Sequence, residues 1–411
     1  MPVVRLFKMR LALSGAGALA LLATAAGAEA QQLKPIADAR VRYESVDQED
    51  IAEDANALTF RLRAGAELNS GDWSLLAEGE GTAALSEDYF SGLNDKTDRP
   101  LVADPENIEL NRLQIQYRGQ AKTTVTLGRQ RINLLDQRFV GAAAWRQNEQ
   151  TFDAVRLEYG DPKGLKADLS YVWSVRTIWG VDGRDARQQA IGGNNVFATV
   201  SYPTVLGTLS GFAILVDQDE EAVQAFRLSS QTYGLRLEGS HPIGKDAKLN
   251  YALSYARQSD HHRNPNDYGA DYLLAEVGAE MSALKLGLGH ERLGADDGDP
   301  LASFQTPLGT LHKFQGWADK FTTTPPNGVR DSYASLGYGW KKPFGLDAIN
   351  ASLIYHRFES DRLDIYYGNE WNAQLAFKKG RWGVTAKLAA YDAELFATDT
   401  RKFWLQLEWV Y

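Results

Sequence analysis

Residues 58–68 read LTFRLRAGAEL. Leu58, Phe60, Leu62, Ala64, Ala66 and Leu68 alternate with Thr59, Arg61, Arg63, Gly65 and Glu67, a period of two that lays one apolar and one polar face along an extended chain. On a helix the same apolar side chains would be scattered around the axis, so the pattern selects a strand. It recurs through 73–85, 113–127, 152–159, 167–176, 196–202, 209–216, 233–240, 249–255, 273–281, 284–290, 333–340, 349–358, 371–377, 382–391 and 403–411. With 41–46 as the first strand, and 113–127 divided at Arg118, Gly119 and Gln120, the count reaches about eighteen, each near the ten-residue length of a transmembrane strand.

The connections decide how these strands are arranged. Short turns fall at 69–72, 118–120, 160–164, 203–207, 241–246, 341–347 and 379–381. Longer polar segments lie between them, at 47–56, 86–107, 132–151, 177–193, 218–230, 259–269, 293–330, 359–367 and 392–401. Strict alternation of short and long is the rhythm of an up-and-down antiparallel barrel, with turns on the periplasmic side and loops outside the cell. A soluble sandwich has no reason to keep it. Trp73, Tyr117, Tyr159, Tyr171, Trp173, Tyr202, Trp340, Trp371, Trp382 and Trp409 sit on the apolar face, many near strand ends where interfacial girdles form.

Targeting agrees. Arg5, Lys8 and Arg10 precede an apolar run over 11–28, and Ala28-Glu29-Ala30 supplies a small-residue cleavage site, so 1–30 reads as an export signal and 31–411 as one mature barrel domain. Beyond the signal no run approaches the roughly 18 to 20 apolar residues of a membrane helix. A spanning chain must then be a closed barrel, because only that form satisfies strand backbone groups in lipid. Removing the signal leaves 41 basic and 52 acidic groups, a net charge of -11, which argues against a nucleic-acid partner. The absence of cysteine excludes disulfides and thiol chemistry.

Against this acidic background, residues 111–156 carry Arg112, Arg118, Lys122, Arg129, Arg131, Arg138, Arg146 and Arg156 but only Asp136, Glu149 and Asp153, a local balance of +5. Within it, 128–156 reads as a long loop held by strands on both sides. Strand phase places Arg40, Arg42, Arg61, Arg63, Arg112, Arg118, Arg156, Arg176 and Arg236 on the inward face. A row of permanently charged, fork-shaped guanidinium groups suits a path for carboxylates. The alternative is internal pairing with Glu44, Glu67, Glu78, Glu80, Glu158 and Glu238. Arg129 and Arg131 are in phase with Val125 and Leu127 and would face lipid unless Gly128 marks a bulge or the strand has ended.

The stretch GRQRINLLDQRFVGAAAWRQNEQTFDAVR and the later FQTPLGTLHKFQGWADKFTTTPPNGVRDSY resemble the two signature stretches of the alginate export family of outer-membrane barrels. The resemblance implies an 18-stranded barrel with an arginine-lined constriction passing a polyuronate. Positions matching the first signature are Arg129, Gln130, Asp136, Arg138, Trp145, Arg146, Gln147, Asn148, Thr151, Phe152, Asp153 and Arg156; those matching the second are His312, Lys313, Gly316, Trp317, Asp319 and Lys320. The substrate path thus comprises Arg61, Arg63, Arg112, Arg118, Arg129, Arg131, Arg138, Arg146, Arg156, His312, Lys313, Asp319 and Lys320. FWLQLEWVY, ending at Tyr411, resembles the terminal signal read by barrel-assembly machinery. The expected partners are an anionic oligosaccharide or polysaccharide and the lipid of a Gram-negative outer membrane.

Two other classes compete. A non-selective structural porin would share every strand pattern. An enzyme would need His261, His262, His290 or His356 to meet a nucleophile in space, yet G-x-S-x-G, H-E-x-x-H and P-loop patterns are all missing, and no cofactor motif occurs. The run Asp296-Asp297-Gly298-Asp299 lacks full EF-hand spacing and reads as a solvated acidic loop.

Overall fold

The computed structural model describes residues 31–119, 122–161 and 163–411; the export signal expected over 1–30 lies outside them. The first nine strands are β1 (Gln32–Gln48), β2 (Ala55–Ser70), β3 (Trp73–Asp88), β4 (Asn107–Arg118), β5 (Thr123–Gln130), β6 (Thr151–Gly160), β7 (Lys166–Arg176), β8 (Ala190–Thr204) and β9 (Gly207–Val216). The second nine are β10 (Ser230–Pro242), β11 (Ala247–Asp260), β12 (Gly269–Met281), β13 (Leu284–Leu293), β14 (Val329–Lys341), β15 (Ala348–Glu359), β16 (Tyr366–Lys379), β17 (Trp382–Ala393) and β18 (Thr400–Val410). Each pairs antiparallel with its sequence neighbours, and β1 also pairs with β18, from Asp38 opposite Val410 to Gln48 opposite Thr400. The sheet is therefore closed, an 18-stranded up-and-down barrel with no free edge.

All the short turns lie at the end of the barrel that carries both described termini, and all the long connections lie at the other. Side chains follow the period of two. Leu62, Trp73, Leu113, Leu127, Leu253, Leu288 and Trp371 stand exposed on the outer wall, where lipid replaces water. Arg42, Glu44, Arg61, Glu78, Glu80 and Glu370 are buried inside. At the long-loop end the lumen is filled rather than open. Ile132, Val140, Phe304 and Leu308 come from the loops 131–150 and 294–328 and pack on the strand residues Phe152, Phe197, Tyr272 and Trp404. Each such burial is worth roughly 1.5–3 kcal/mol, enough collectively to hold long connections inside the barrel instead of above it.

Gly128 does not form a bulge. Its φ is +113°, and a Cβ there would lie 2.3 Å from the Leu113 carbonyl oxygen, so glycine is required; yet the register runs unbroken from Gln114 opposite Gly128 to Leu113 opposite Arg129. Arg129 therefore stays on the outer face, in phase with Val125 and Leu127, where it pairs with Asp153 at 2.8 Å. Its placement in the substrate path is corrected: it braces the outer wall. Arg176 is corrected likewise. An irregularity between Val172 and Ser174 shifts the phase, so Arg176 shares the outer face with Ser174 and Asp153.

Candidate functional site at the inward-folded loops

Loop 131–150 crosses the lumen. Near one wall its Trp145 carbonyl accepts from Arg42 Nη2 at 2.5 Å and Arg40 Nη1 at 3.2 Å, and Gln147 donates its N–H to Asp104 at 2.8 Å. Toward the opposite wall Arg138 pairs with Glu291 of β13 at 2.8 Å, and Asp136 with Arg236 of β10 at 2.9 Å. Loop 294–328 lies against it: Gly141 donates to the Leu308 carbonyl at 2.9 Å, and Thr310 to the Gln137 carbonyl at 3.0 Å. Glu370 of β16 anchors this second loop by accepting the N–H groups of Trp317 at 2.5 Å and Ala318 at 2.8 Å. Such bonds from a carboxylate to backbone donors are the strong kind, about 1.5–3 kcal/mol each.

The two signature stretches meet at Asp319. Its carboxylate faces Arg146 at 3.1 Å, Lys402 of β18 at 3.0 Å and His312 Nδ1 at 2.8 Å. Burial opposes ionisation there, but His312, Lys402 and Arg146 outweigh it and hold the carboxyl well below the usual range. Burial drives His312 the other way, down to about 3 despite Asp319, with Lys387 adding to the effect, so the imidazole is neutral. A carboxylate only accepts, so Nδ1 donates to Asp319 and Nε2 accepts from Lys387 Nζ at 2.7 Å. The His312 ring stacks on Trp145 at 4.5 Å between centroids. Lys387 Nζ sits 4.0 Å from the Trp145 ring centre and 3.8 Å from that of Trp317.

Above this cluster, toward the long-loop end, is a cavity of about 500 Å³. Its charged lining is Arg146, Lys320, Lys402 and Asp319, a balance of +2 among mostly apolar, Thr and Gln neighbours. Lys320 has no ion pair or hydrogen bond among the described residues. Burial and the nearby Lys402 bring its ammonium down to about 8. A second cavity of about 470 Å³ opens near the short-turn end beneath Leu134 and Leu135, where Lys122 and Lys166 balance Glu158 and Asp168.

The remaining expected site residues are inward but paired. Arg61 meets Asp38 and, at 3.5 Å, Glu408; Arg63 meets Glu80 and, at 3.2 Å, Glu149. Arg112 holds Glu78 at 2.7 Å, Arg131 bridges Glu149 and Glu78, and Arg156 joins Asp168 and Glu158. Arg118 stands half-exposed at the short-turn rim beside Glu67, and Lys313 is exposed, its Nζ donating to the Asp136 carbonyl at 2.7 Å. Sequence reading did not single out Lys387, Lys402 or Glu370. The signal was present, since each occupies the inward phase of a strand whose outward phase is apolar, Leu388 and Leu405 among them.

Fold and site together define a channel-type barrel of the Gram-negative outer membrane. The sequence profile of the alginate export family matches residues 32–278, and the chain belongs to that family. No curated protein matches the sequence. Among solved structures, OccAB4 of Acinetobacter baumannii is similar at a TM-score of 0.68, with 14% identity over 92% of this chain and 98% of that one. OpdK of Pseudomonas aeruginosa, solved with vanillate, gives 0.68 at 14% over the same shares. OccK2 (OpdF) of Pseudomonas aeruginosa, solved in complex with glucuronate, gives 0.63 at 15%, again over 92% and 98%. At these identities the likeness is one of fold. Family and fold point to a transporter rather than an enzyme.

Proposed function

We propose that the barrel passes anionic sugars of the uronate type, and that the selective step is the cavity above Asp319. The observation that carries this reading is the convergence of Arg146, Lys320 and Lys402 on a cavity with one carboxylate. At contact distance a carboxylate gains only ~1 kcal/mol from a unit positive charge in bulk water, but ~4 at an effective dielectric of 20, so basic groups matter most where water is excluded. The glucuronate complex of OccK2 gives a chemical precedent on the same fold. In this reading 1–30 is the cleaved export signal, 31–411 is one barrel domain, and the terminal strand ending at Tyr411 is the segment read by assembly machinery.

The competing reading, a non-selective pore, is favoured by the pairing of the wall arginines, which leaves the deeper lumen near electrical balance. The reversal potential of the mature protein in planar bilayers under a salt gradient separates the two. An anion preference is expected at low salt and should shrink as the Debye length falls from about 10 to about 3 Å between 0.1 and 1 M. Cation preference at low salt would overturn the proposal.

A further inference from the structure

Among the described residues Asp319 is the one carboxylate on the wall of the long-loop cavity, and it occupies three donors, Arg146, Lys402 and His312, placed to receive a solute carboxylate. Its backbone lies in the left-handed region, with φ +63°, as does that of Gln315 at +54°. Residues held there persist because surrounding contacts over-determine them. Those contacts are the Glu370 anchor beneath and the ion pairs of Asp319 above. Two residues away, Trp317 covers Lys387 from one side while Trp145 covers it from the other. The stack Trp317, Lys387, Trp145 thus joins both inward loops to one wall of the barrel, that of β17 and its neighbours β18 and β1.

We propose that Asp319 is an internal stand-in for the carboxylate of the transported anion, and that the anion opens the channel by taking its place. The proposal rests on the anion-channel reading above and adds its regulation. An incoming uronate meets the unpaired Lys320, then exchanges with Asp319 on Arg146 and Lys402. The exchange conserves the charge-assisted hydrogen bonds of both cations, whereas stripping Asp319 away with no replacement would leave Lys402 buried and unpaired and Arg146 with only its longer 3.6 Å pair to Glu44. Residues 317–320, released on one side, pivot on the Glu370 anchor, lift Trp317 from Lys387 and widen the lumen at that level.

The test uses the full mature barrel in planar bilayers, with glucuronate or, as control, glucose added on the long-loop side. Wild-type conductance should rise with glucuronate and not with glucose. Asp319→Asn should conduct at the raised level without glucuronate and lose the response, while Asp319→Glu should restore it. A second measurement does not depend on that variant. Because the chain has no cysteine, Ala318→Cys gives a single thiol, buried within loop 294–328 at the cavity wall. Its labelling by a membrane-impermeant reagent should accelerate with glucuronate and not with glucose. Unchanged labelling together with a glucuronate-independent wild-type conductance would overturn the gate in an anion-selective channel. Cation selectivity of the wild type would instead remove the reading on which the gate rests.

Discussion

Raising the pH through about 8 should weaken the channel's preference for anions, and the cause should be one residue. Lys320 is brought down to about 8 by burial and by Lys402, so its charge is mostly present at about pH 7 and mostly lost at about pH 9. The balance of the long-loop cavity then falls from +2 to +1. If the loss is worth ~1 kcal/mol, the value for one unit charge at contact in a water-like medium, the concentration of glucuronate that gives half of its conductance rise should increase about fivefold. Lys320→Gln should need the higher concentration already at neutral pH and show no further change. Lys320→Arg, whose guanidinium stays charged, should respond at the lower concentration across the range. Glucuronate titrations of single-channel conductance read all three. A wild type whose half-maximal concentration does not move with pH, or a Lys320→Arg variant whose response still weakens on raising the pH, would refute the assignment.

Other outcomes follow from the geometry. Arg129→Ala should leave ion selectivity untouched and lower stability by ~1.5–3 kcal/mol, because the mostly covered Asp153 loses a bidentate charge-assisted partner, seen as a lower temperature for heat-modified gel migration. Arg138→Met should cost ~3–5 kcal/mol by leaving Glu291 buried without its partner, and should free loop 131–150 to fluctuate, measured as noisier and larger single-channel current. Gly316→Ala should loosen loop 294–328, because φ is +79° there and the new Cβ would lie 2.3 Å from Glu370 Oε2; proteolysis confined to that loop in an otherwise intact barrel is the readout.

The barrel was legible in the sequence because period-two alternation and the short–long rhythm are local properties repeated in strand after strand. Expected loops such as 132–151 and 293–330 differ from the observed 131–150 and 294–328 by a residue or two. The faces of Arg61, Arg63, Arg112 and Arg156 follow from the same counting. Arg176 did not, because an irregularity at Trp173 shifts the phase and no glycine or proline in β7 itself announces it; the glycines at the shift, Gly192 and Gly193, lie on the facing strand β8. The meeting of Arg146 with Asp319 was out of reach for a different reason. It depends on two loops folding inward over a shared apolar cluster, and neither polarity nor periodicity says where a loop goes once it leaves the sheet. That each inward arginine has an acidic partner was foreseeable as a possibility, but the particular partners are set by register across strands.

The seam between β1 and β18 also dictates an order of events. Every other strand pair joins sequence neighbours and can zip as its hairpin emerges, but at the seam Arg42 reaches Gln406, 364 residues further along the chain. Until that last strand arrives the molecule is an open ribbon with two bare edges, each a template for pairing with a stranger. The loss of chain entropy on closing so long a circuit falls due at the final step, after nearly all other pairings have formed. A truncation that removes only Phe403 to Tyr411 would therefore spare most of the contacts and forfeit the closed ring, leaving a sheet whose natural next partner is another copy of itself.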